Sequence, residues 1–302
     1  MHFSKTLAPL LSVIVPVTRM ANKFQNLIQW LETVKEQPIE IIVIHDIQDF
    51  DTSLEIKTIV AQFDQLNLQF IEGEYGSPGM ARNAGIKLAT GEWLAFWDSD
   101  DIPEVINVIT NIKHCGISNT DYIIGNFVEC NEITGVKVKH ILGKRLLIDV
   151  GLNPGLWRFI FKRATLNDLQ FSNLLIAEDQ EFLARYMTRE RVGHVSNDFF
   201  YNYFIGGNYH LTKRQEALDC MIDALLITLK IMRLRKPANS DLLALLFTRQ
   251  FLATLKYSLF RYKIKSLIIL CYSMFVLNYR MSFSIFKSFF LILRFRAPNE
   301  EL

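Results

Sequence analysis

The chain has 302 residues, enough for one large domain or for one domain with an appendage. Half of the residues are hydrophobic and 21% are charged, so the chain can bury a sizeable core. The four cysteines lie far apart and form no C-x-x-C pair, a spacing that signals neither a zinc site nor a disulfide framework.

The net charge of +2 conceals an uneven distribution of charge along the sequence. From Ala224 onward there are 13 lysines and arginines against 3 acidic residues, which leaves 20 basic and 28 acidic residues in the first 223. This asymmetry predicts an acidic front part and a basic tail that meets a different partner.

Apolar strands and amphipathic helices alternate over the first 100 residues. Strands are predicted at 11–17, 39–44, 66–70 and 93–97. Helices are predicted at 24–34, at 54–63 and from Ser77, which caps a helix with Pro78 at its first position. This alternation is typical of an α/β fold with a mostly parallel sheet and flanking helices. Ligands of such sheets bind beyond the carboxyl ends of the strands, which lie here at residues 16–18, 46 and 98–100.

The pattern changes after residue 121. Residues 122–128 and 136–138 predict an antiparallel hairpin, and a helix is expected to open at Glu178 and run to Tyr186. Residues 199–204 predict a further strand. From residue 215 the pattern is helical, with a stripe at 218–229 and a helix that Ser240 is expected to cap.

Three aspartates follow the apolar strand at 93–97, within the sequence Asp98-Ser99-Asp100-Asp101, which we call the aspartate motif. Carboxylates at the tip of a buried strand repel one another and lose solvation, and a divalent cation or a row of backbone N–H groups offsets this cost. Capping of a helix whose first turn lies at 102–104 is the alternative, but one aspartate would suffice for it. Oxygen ligands suit Mg²⁺ or Mn²⁺ and disfavour zinc.

The first 212 residues resemble family 2 glycosyltransferases of the nucleotide-diphospho-sugar type, which have the GT-A fold. The resemblance rests on six ordered blocks: residues 12–17, 40–46, 79–85 with 89–92, 98–101, 157 with 161–163, and 178–179. It implies a GT-A domain at 1–212, followed by a basic, aromatic-rich helical region at 213–302. The sequence departs from the family at Thr18-Arg19 and at His45, which leaves the base and the sugar of the donor open.

The resemblance also implies roles for individual residues. It assigns the metal to Asp100 and the catalytic base to Asp179, with direct displacement and inversion at the anomeric carbon. The residues implied to face the donor are Pro16, Val17, Thr18, Asp46, Arg82, Asp98 and Ser99. On the acceptor side it points to Trp157 and Glu178. Asp101 is expected only to cap the following helix, and His210 is left unassigned.

Each of these roles has a plainer alternative. Arg82 can hold Asp98 or a phosphate through its planar fork, or it can be a solvated surface arginine. Asp46 can accept from the base or the ribose, or it can be a turn aspartate. Asp179 can take the proton of the acceptor hydroxyl, or it can serve the start of its helix. Trp157 can stack on a sugar ring, or it can be a core residue.

The basic tail predicts contact with a membrane surface. Residues 266–279 carry no charge but are too few to span a bilayer. Basic and aromatic residues on amphipathic helices suit the cytoplasmic face of an anionic membrane, whereas packing, dimerisation and a true span are the alternatives. The N-terminus leads directly into a strand, which predicts a cytoplasmic location. Nucleic-acid binding is not expected, because long aliphatic runs separate the basic residues.

The resemblance, together with the basic tail, implies a metal-dependent, inverting glycosyltransferase at the cytoplasmic face of the inner membrane. Its expected donor is a nucleotide-diphospho-sugar, with a UDP-sugar favoured. Its expected acceptor is a glycan or glycolipid in the synthesis of lipopolysaccharide, capsule or exopolysaccharide. Two alternatives are a sugar transferase acting on a lipid-phosphate carrier and a catalytically silent GT-A domain that serves as a membrane-docked assembly partner.

Overall fold

The computed structural model describes residues 9–20, 23–115, 119–206, 215–234 and 238–296. The chain divides into two compact units. The sheet unit comprises Met1–Leu142, Leu156–Asp168 and Arg191–Asn208, and the helical unit comprises Gly143–Gly155, Leu169–Glu190 and Tyr209–Leu302. Two segments before residue 212 thus belong to the helical unit, and the domain division at residue 212 stays a prediction.

Within the described residues, nine strands form a single sheet in the sheet unit. They are β1 Leu11–Val17, β2 Ile39–Asp46, β3 Leu68–Gly73, β4 Trp93–Phe96, β5 Ile102–Pro103, β6 Tyr122–Asn131, β7 Lys137–His140, β8 Phe159–Lys162 and β9 Gly193–Ile205. The α-helices in the described residues of the same unit are α1 Gln25–Thr33, α2 Phe50–Gln62, α3 Pro78–Leu88 and α4 Val105–Cys115.

The strand order is β3-β2-β1-β4-β8-β6-β9-β5, and β7 pairs with β6. Strands β3, β2, β1 and β4 run parallel, which confirms the α/β prediction for the first 100 residues. Beyond β4 the sheet is mixed: β8 is antiparallel to β4 and β6, whereas β9 runs parallel to β6. The predicted hairpin is confirmed by the antiparallel pairing of β6 with β7.

The sheet core is built where apolar strands are covered by helices. Every residue of β4 is buried, and β1 is buried except at Pro16, as expected for strands covered on both faces. Helix α3 lies close to the sheet, since a Cβ added to Gly85 would lie 2.5 Å from Cγ2 of Ile14. Its cap is as predicted, because the Ser77 side chain accepts from the Met80 N–H.

Three blocks of the family resemblance meet at the amino ends of β1, β2 and β4. The Glu40 carboxylate is 3% exposed. It accepts from the Ser12 hydroxyl at 2.5 Å, from the Thr90 N–H at 2.8 Å, from the Thr90 hydroxyl at 3.0 Å and from the Gln69 amide at 3.1 Å. The Ser12 oxygen in turn accepts from the Gly91 N–H at 2.8 Å. We call these residues the Glu40 cluster. The cluster connects the amino ends of the strands, at the end of the sheet opposite to the aspartate motif.

The structure corrects the prediction for the residues after the aspartate motif. Ile102 and Pro103 form β5, which pairs with Asn202 and Tyr201 of β9, and helix α4 begins only at Val105. Asp101 does not cap that helix, because its carboxylate accepts from the Phe204 N–H at 2.7 Å. Pairing with a strand about 100 residues away overrides the local signal for a helix start.

The helical unit contains α5 Leu146–Leu152, α6 Glu178–Tyr186, α7 Gln215–Asp219, α8 Met221–Met232, α9 Ser240–Tyr257, α10 Phe260–Val276 and α11 Tyr279–Arg296. Helix α9 carries the longest run of buried residues, from Leu242 to Thr248. Its cap position is Asn239, so the predicted cap at Ser240 is wrong by one residue. None of the helices in the described part of the chain is long and apolar enough to cross a membrane.

Candidate active site

The aspartate motif leaves the sheet beside the carboxyl end of β1. The Trp97 N–H donates to the Ile14 carbonyl at 3.1 Å, and the chain turns so that the Asp101 N–H meets the Asp98 carbonyl at 3.4 Å. On the other side of β1, Val17 is in register with His45, the residue before Asp46. The sheet therefore brings the carboxyl ends of β1, β2 and β4 to one edge.

Arg82 and Asp98 form an ion pair at this edge. The Arg82 guanidinium, on α3, donates to the Asp98 carboxylate at 2.8 Å. The Arg82 side chain is 7% exposed and the Asp98 side chain 32% exposed. The burial of Arg82 excludes the alternative of a solvated surface arginine, and the ion pair places its positive charge on Asp98.

Asp100 is the most exposed residue of the motif. Its carbonyl oxygen accepts from the Asn26 side chain at 2.6 Å, which ties the middle of the motif to α1. Desolvation by the surrounding protein, followed by the negative charge of Asp98, raises the pKa of Asp100 to about 6. Lys23 counteracts this rise in part. A carboxylate that is partly desolvated and repelled by Asp98 suits a cation.

Asp101 is buried and is held by β9. Besides the Phe204 N–H, the Tyr201 side chain hydrogen-bonds to its carboxylate. Burial, and then the charges of Asp100 and Asp98, raise the pKa of Asp101 well above its usual range, while these two hydrogen bonds oppose the rise. The Tyr201 hydroxyl also accepts from the Asp98 N–H at 2.9 Å. Sequence reasoning missed Tyr201, because nothing near it in the chain marks it as part of the site.

Asp46 takes the role of a turn aspartate in this structure. Its carboxylate accepts from the Gln48 N–H at 3.1 Å, the Tyr75 N–H at 3.3 Å and the Gly76 N–H at 2.7 Å. It thereby joins the end of β2 to the segment that leads into α3. A role in donor binding stays a prediction for Asp46.

The loop after β1 is fixed by the start of α2. Pro16 and Thr18 are partly exposed, whereas Val17 is buried. Arg19 has a positive φ of 57°, and its N–H donates to the Asp49 carboxylate. The loop at Thr18-Arg19, where the sequence departs from the family, therefore lies at the edge of the sheet that carries the aspartate motif.

Trp157 packs into an aromatic cluster of the sheet unit. Its ring stacks on Tyr201, with centroids 4.6 Å apart, and on Tyr203 at 5.2 Å. Phe127 meets it edge-on at 4.7 Å. The indole is partly exposed, so it is a packing residue that also reaches the surface, and sugar stacking stays a prediction.

Glu178 and Asp179 open α6 in the helical unit, whereas the aspartate motif belongs to the sheet unit. The residue before them, Ala177, has a left-handed conformation with φ 64°. Glu178 is buried and Asp179 partly exposed, and the Asp179 carboxylate accepts from the Gln180 N–H at 2.7 Å. The cap position belongs to Ala177, so Asp179 is not the cap, and its role as base stays a prediction. His210 lies outside the described residues.

The donor set of the motif fits a hard divalent cation. Among the described residues, no group of three or more His, Cys, Asp or Glu side chains could hold a metal by itself. Mg²⁺ and similar ions are commonly bound by one or two carboxylates together with substrate phosphates. Asp98 is paired with Arg82, and metal binding by Asp100 stays a prediction.

Comparison with known proteins places the chain in a family. The sequence model described as Glycosyl transferase family 2 matches residues 12–190, more than half of the chain. The chain belongs to this family. The match includes β1, the aspartate motif, Trp157 and the start of α6, and so confirms the resemblance seen in the sequence.

Curated relatives of this family member come from several bacteria. Glycosyltransferase GlyA of Streptococcus pneumoniae is 25% identical over 234 residues, which are 71% of this chain and 33% of GlyA. WfgD of Escherichia coli, named as a UDP-Glc:alpha-D-GlcNAc-diphosphoundecaprenol beta-1,3-glucosyltransferase, is 30% identical over 129 residues, 41% of this chain and 50% of WfgD. The chain thus spans about a third to a half of these proteins.

Two solved structures share the fold. TarS of S. aureus in complex with UDP-GlcNAc has a TM-score of 0.70 and 20% identity, over 94% of this chain and 88% of that chain. The mannosyltransferase PcManGT of Pyrobaculum calidifontis in complex with GDP-Man and Mn²⁺ has a TM-score of 0.55 and 15% identity, over 95% and 86%. These similarities establish the GT-A fold with its C-terminal helices.

Proposed function

We propose that this chain transfers a sugar from a nucleotide-diphosphate donor to an acceptor hydroxyl. The observation that carries the proposal is the aspartate motif at the carboxyl edge of a family 2 sheet, with Arg82 paired to Asp98 and with Asp100 the most exposed residue of the motif. The structural neighbours were solved with UDP-GlcNAc and with GDP-Man. We favour a UDP-sugar, because the neighbour with the higher TM-score holds one.

The donor end of the site belongs to residues of the sheet unit. Asp100 would hold Mn²⁺ or Mg²⁺, as the presence of Mn²⁺ in PcManGT supports. A bound cation supplies positive charge that offsets the charge of the departing diphosphate. Asp98 and Ser99 would face the nucleotide, and Arg82 keeps the Asp98 carboxylate in one orientation. Pro16, Val17 and Thr18, together with Asp46, would border the base and ribose.

The acceptor end supplies the base. The Asp179 carboxylate would take the proton of the acceptor hydroxyl as its oxygen bonds to the anomeric carbon. The bond from that carbon to the diphosphate oxygen breaks with its electron pair on the diphosphate, and direct displacement inverts the anomeric centre. Glu178 lies next to the base, and Trp157 offers an aromatic surface to the apolar face of an acceptor sugar.

The acceptor we propose is a surface glycan at the cytoplasmic face of the membrane. WfgD, by its name, uses an acceptor linked to diphosphoundecaprenol, which also supports a lipid-linked acceptor here. Helices α10 and α11 support contact with a membrane. They carry seven lysines and arginines and no acidic residue. Large apolar side chains are exposed on both, including Phe260, Ile268, Phe275, Tyr279, Phe283 and Phe290. This combination suits an anionic lipid surface.

Two variants separate donor binding from proton transfer. A thermal-shift panel of UDP-, GDP-, dTDP- and CMP-sugars with and without Mn²⁺ first identifies the donor nucleotide. Asp100→Ala is then expected to remove the effect of Mn²⁺ on nucleotide binding. Asp179→Asn should retain that effect and lower transfer by a factor of roughly 10² to 10⁴.

The control for both is Asp64→Ala, which removes an exposed aspartate of the sheet unit and should change neither quantity. Full turnover in Asp179→Asn would contradict the assignment of the base. The unmodified protein and Asp179→Asn could both bind a nucleotide-sugar and yet transfer no sugar to any lipid-linked or glycan acceptor. This result would favour the alternative of a catalytically silent GT-A domain that serves as an assembly partner.

A further inference from the structure

We propose that Tyr201 is a positioning residue for the aspartate motif. Its hydroxyl bridges the main chain of Asp98 and the carboxylate of Asp101, and this bridge sets the direction in which Asp100 faces its ligand. The inference rests on the proposed function, since it specifies how the metal-binding residue of that function is held. Tyr201 lies on β9, 103 residues after Asp98.

The hydroxyl of Tyr201 can act both as a hydrogen-bond acceptor and as a donor. Its oxygen accepts from the Asp98 N–H at 2.9 Å, and it has one proton to donate. The Asp101 carboxyl group, which hydrogen-bonds to the Tyr201 side chain, is its second partner. A single buried atom therefore fixes the first and the last aspartate of the motif, and Asp100 lies between these two fixed points.

Strand β9 holds the same turn at three further places. The Phe204 N–H donates to the Asp101 carboxylate at 2.7 Å, and the Glu104 N–H donates to the Phe200 carbonyl at 2.8 Å. The Asn202 side chain donates to the Ile102 carbonyl at 3.2 Å. These contacts secure the end of the turn, whereas Tyr201 reaches its beginning at Asp98.

The turn needs such a support because of its own charge. Asp98, Asp100 and Asp101 lie within four successive residues, and repulsion between carboxylates this close favours spreading the turn. Arg82 restrains the Asp98 side chain and Asn26 the Asp100 carbonyl, whereas Tyr201 restrains the Asp98 main chain. Without the hydroxyl, the main chain before Asp100 loses one of its anchors, and the Trp97 N–H bond to the Ile14 carbonyl remains.

The ring of Tyr201 connects this support to Trp157. The two rings are stacked, with centroids 4.6 Å apart and planes inclined by 14°. Tyr201→Phe would keep this stacking and the buried ring while it removes only the bridge. The variant therefore isolates the hydroxyl from the packing of the core.

The experiment measures Mn²⁺ and UDP binding to the full chain. UDP titration calorimetry is done with and without Mn²⁺, and the electron paramagnetic resonance spectrum of bound Mn²⁺ reports the geometry of the site. In Tyr201→Phe we expect Mn²⁺ to enhance UDP affinity about tenfold less than in the unmodified protein, as fits the loss of a buried hydrogen bond. UDP affinity without Mn²⁺ should remain the same, and the Mn²⁺ spectrum should broaden.

The matched control is Tyr122→Phe. It removes the hydroxyl of another buried tyrosine at the opposite end of the β6–β9 pairing, where Tyr122 is in register with Gly193. All titrations are done below the Tm of each variant, so that a loss of stability is read separately from the metal response. We expect the control to keep the full effect of Mn²⁺.

Two results would overturn the inference. A Tyr201→Phe protein with a lower Tm but an unchanged Mn²⁺ effect and spectrum would show that the tyrosine is only structural. If the unmodified protein binds neither Mn²⁺ nor any nucleotide of the donor panel, the proposed function fails, and the inference fails with it.

Discussion

Replacing Glu40 by alanine should destabilise the sheet unit far more than replacing it by glutamine. The Glu40 carboxylate accepts four hydrogen bonds, from Ser12, Gln69 and both donors of Thr90, and it is 3% exposed. Alanine removes all four acceptor positions at once. Glutamine keeps the shape of the side chain and one of its two oxygens.

The geometry of the Glu40 cluster sets the size of the two effects. Oε2 meets the Thr90 N–H, which can only donate, whereas Oε1 meets the Thr90 hydroxyl and the Gln69 amide, which can reverse their roles. Glutamine can place its NH₂ group at the Oε1 position, so that the loss is about 1 kcal/mol for weaker, uncharged bonds. Alanine leaves the Thr90 N–H unpaired and opens a cavity, which together cost about 3–5 kcal/mol.

Urea unfolding, monitored by tryptophan fluorescence, measures the loss in the free energy of unfolding of the sheet unit. All four tryptophans, Trp30, Trp93, Trp97 and Trp157, belong to the sheet unit. Glu74→Ala removes an exposed glutamate and serves as the control, with an expected change within about 0.5 kcal/mol. Equal losses in Glu40→Gln and Glu40→Ala, or losses no larger than that of the control, would refute the reasoning.

Two further predictions concern charge and surface. Asp101→Asn should stabilise the metal-free protein at about pH 8 and less so at about pH 5. The reason is that the pKa of Asp101 is higher in the folded protein than in the unfolded chain, so this carboxyl lowers the free energy of unfolding increasingly as the pH rises toward its folded pKa. Urea unfolding of both proteins across this pH range checks the prediction, and a pH-independent difference between them would contradict it. Phe275→Ser and Phe260→Ser, at residues that are 87% and 77% exposed, should lower sedimentation with anionic vesicles but leave UDP binding unchanged. The control is Phe50→Ser on α2, at a residue that is 83% exposed. A change of oligomeric state in the two variants, without vesicle binding by the unmodified protein, would indicate dimerisation instead.

Local signals predicted the parts of the fold that depend on neighbouring residues. The alternation of strands and helices, the cap at Ser77 and the hairpin of β6 with β7 can be recognised within windows of about 20 residues. The helix start at 102–104 looked equally local, but β5 pairs with β9 across about 100 residues. A periodicity within one segment carries no information about a partner so far away.

In the candidate site, too, the sequence predicted what neighbouring residues determine and missed what contacts between distant residues determine. The aspartate motif and the family were visible in the sequence, because both rest on short ordered blocks. The burial of Arg82 and the part played by Tyr201 were not visible, since each depends on which side chains the sheet brings together. The sequence could not decide the role of Asp46, because a turn aspartate and a donor-binding aspartate look the same in sequence. The structure shows three main-chain N–H groups donating to its carboxylate.

The sequence by itself determined the α/β class, the position of the aspartates after a buried strand and membership of glycosyl transferase family 2. These properties are carried by hydrophobic periodicity and by residues adjacent in the chain. Only the tertiary structure decided that Glu40 gathers three family blocks and that Tyr201 joins Asp98 to Asp101. The physical reason is that a hydrogen bond depends on distance in space, and here its partners lie 28 to 103 residues apart in the chain.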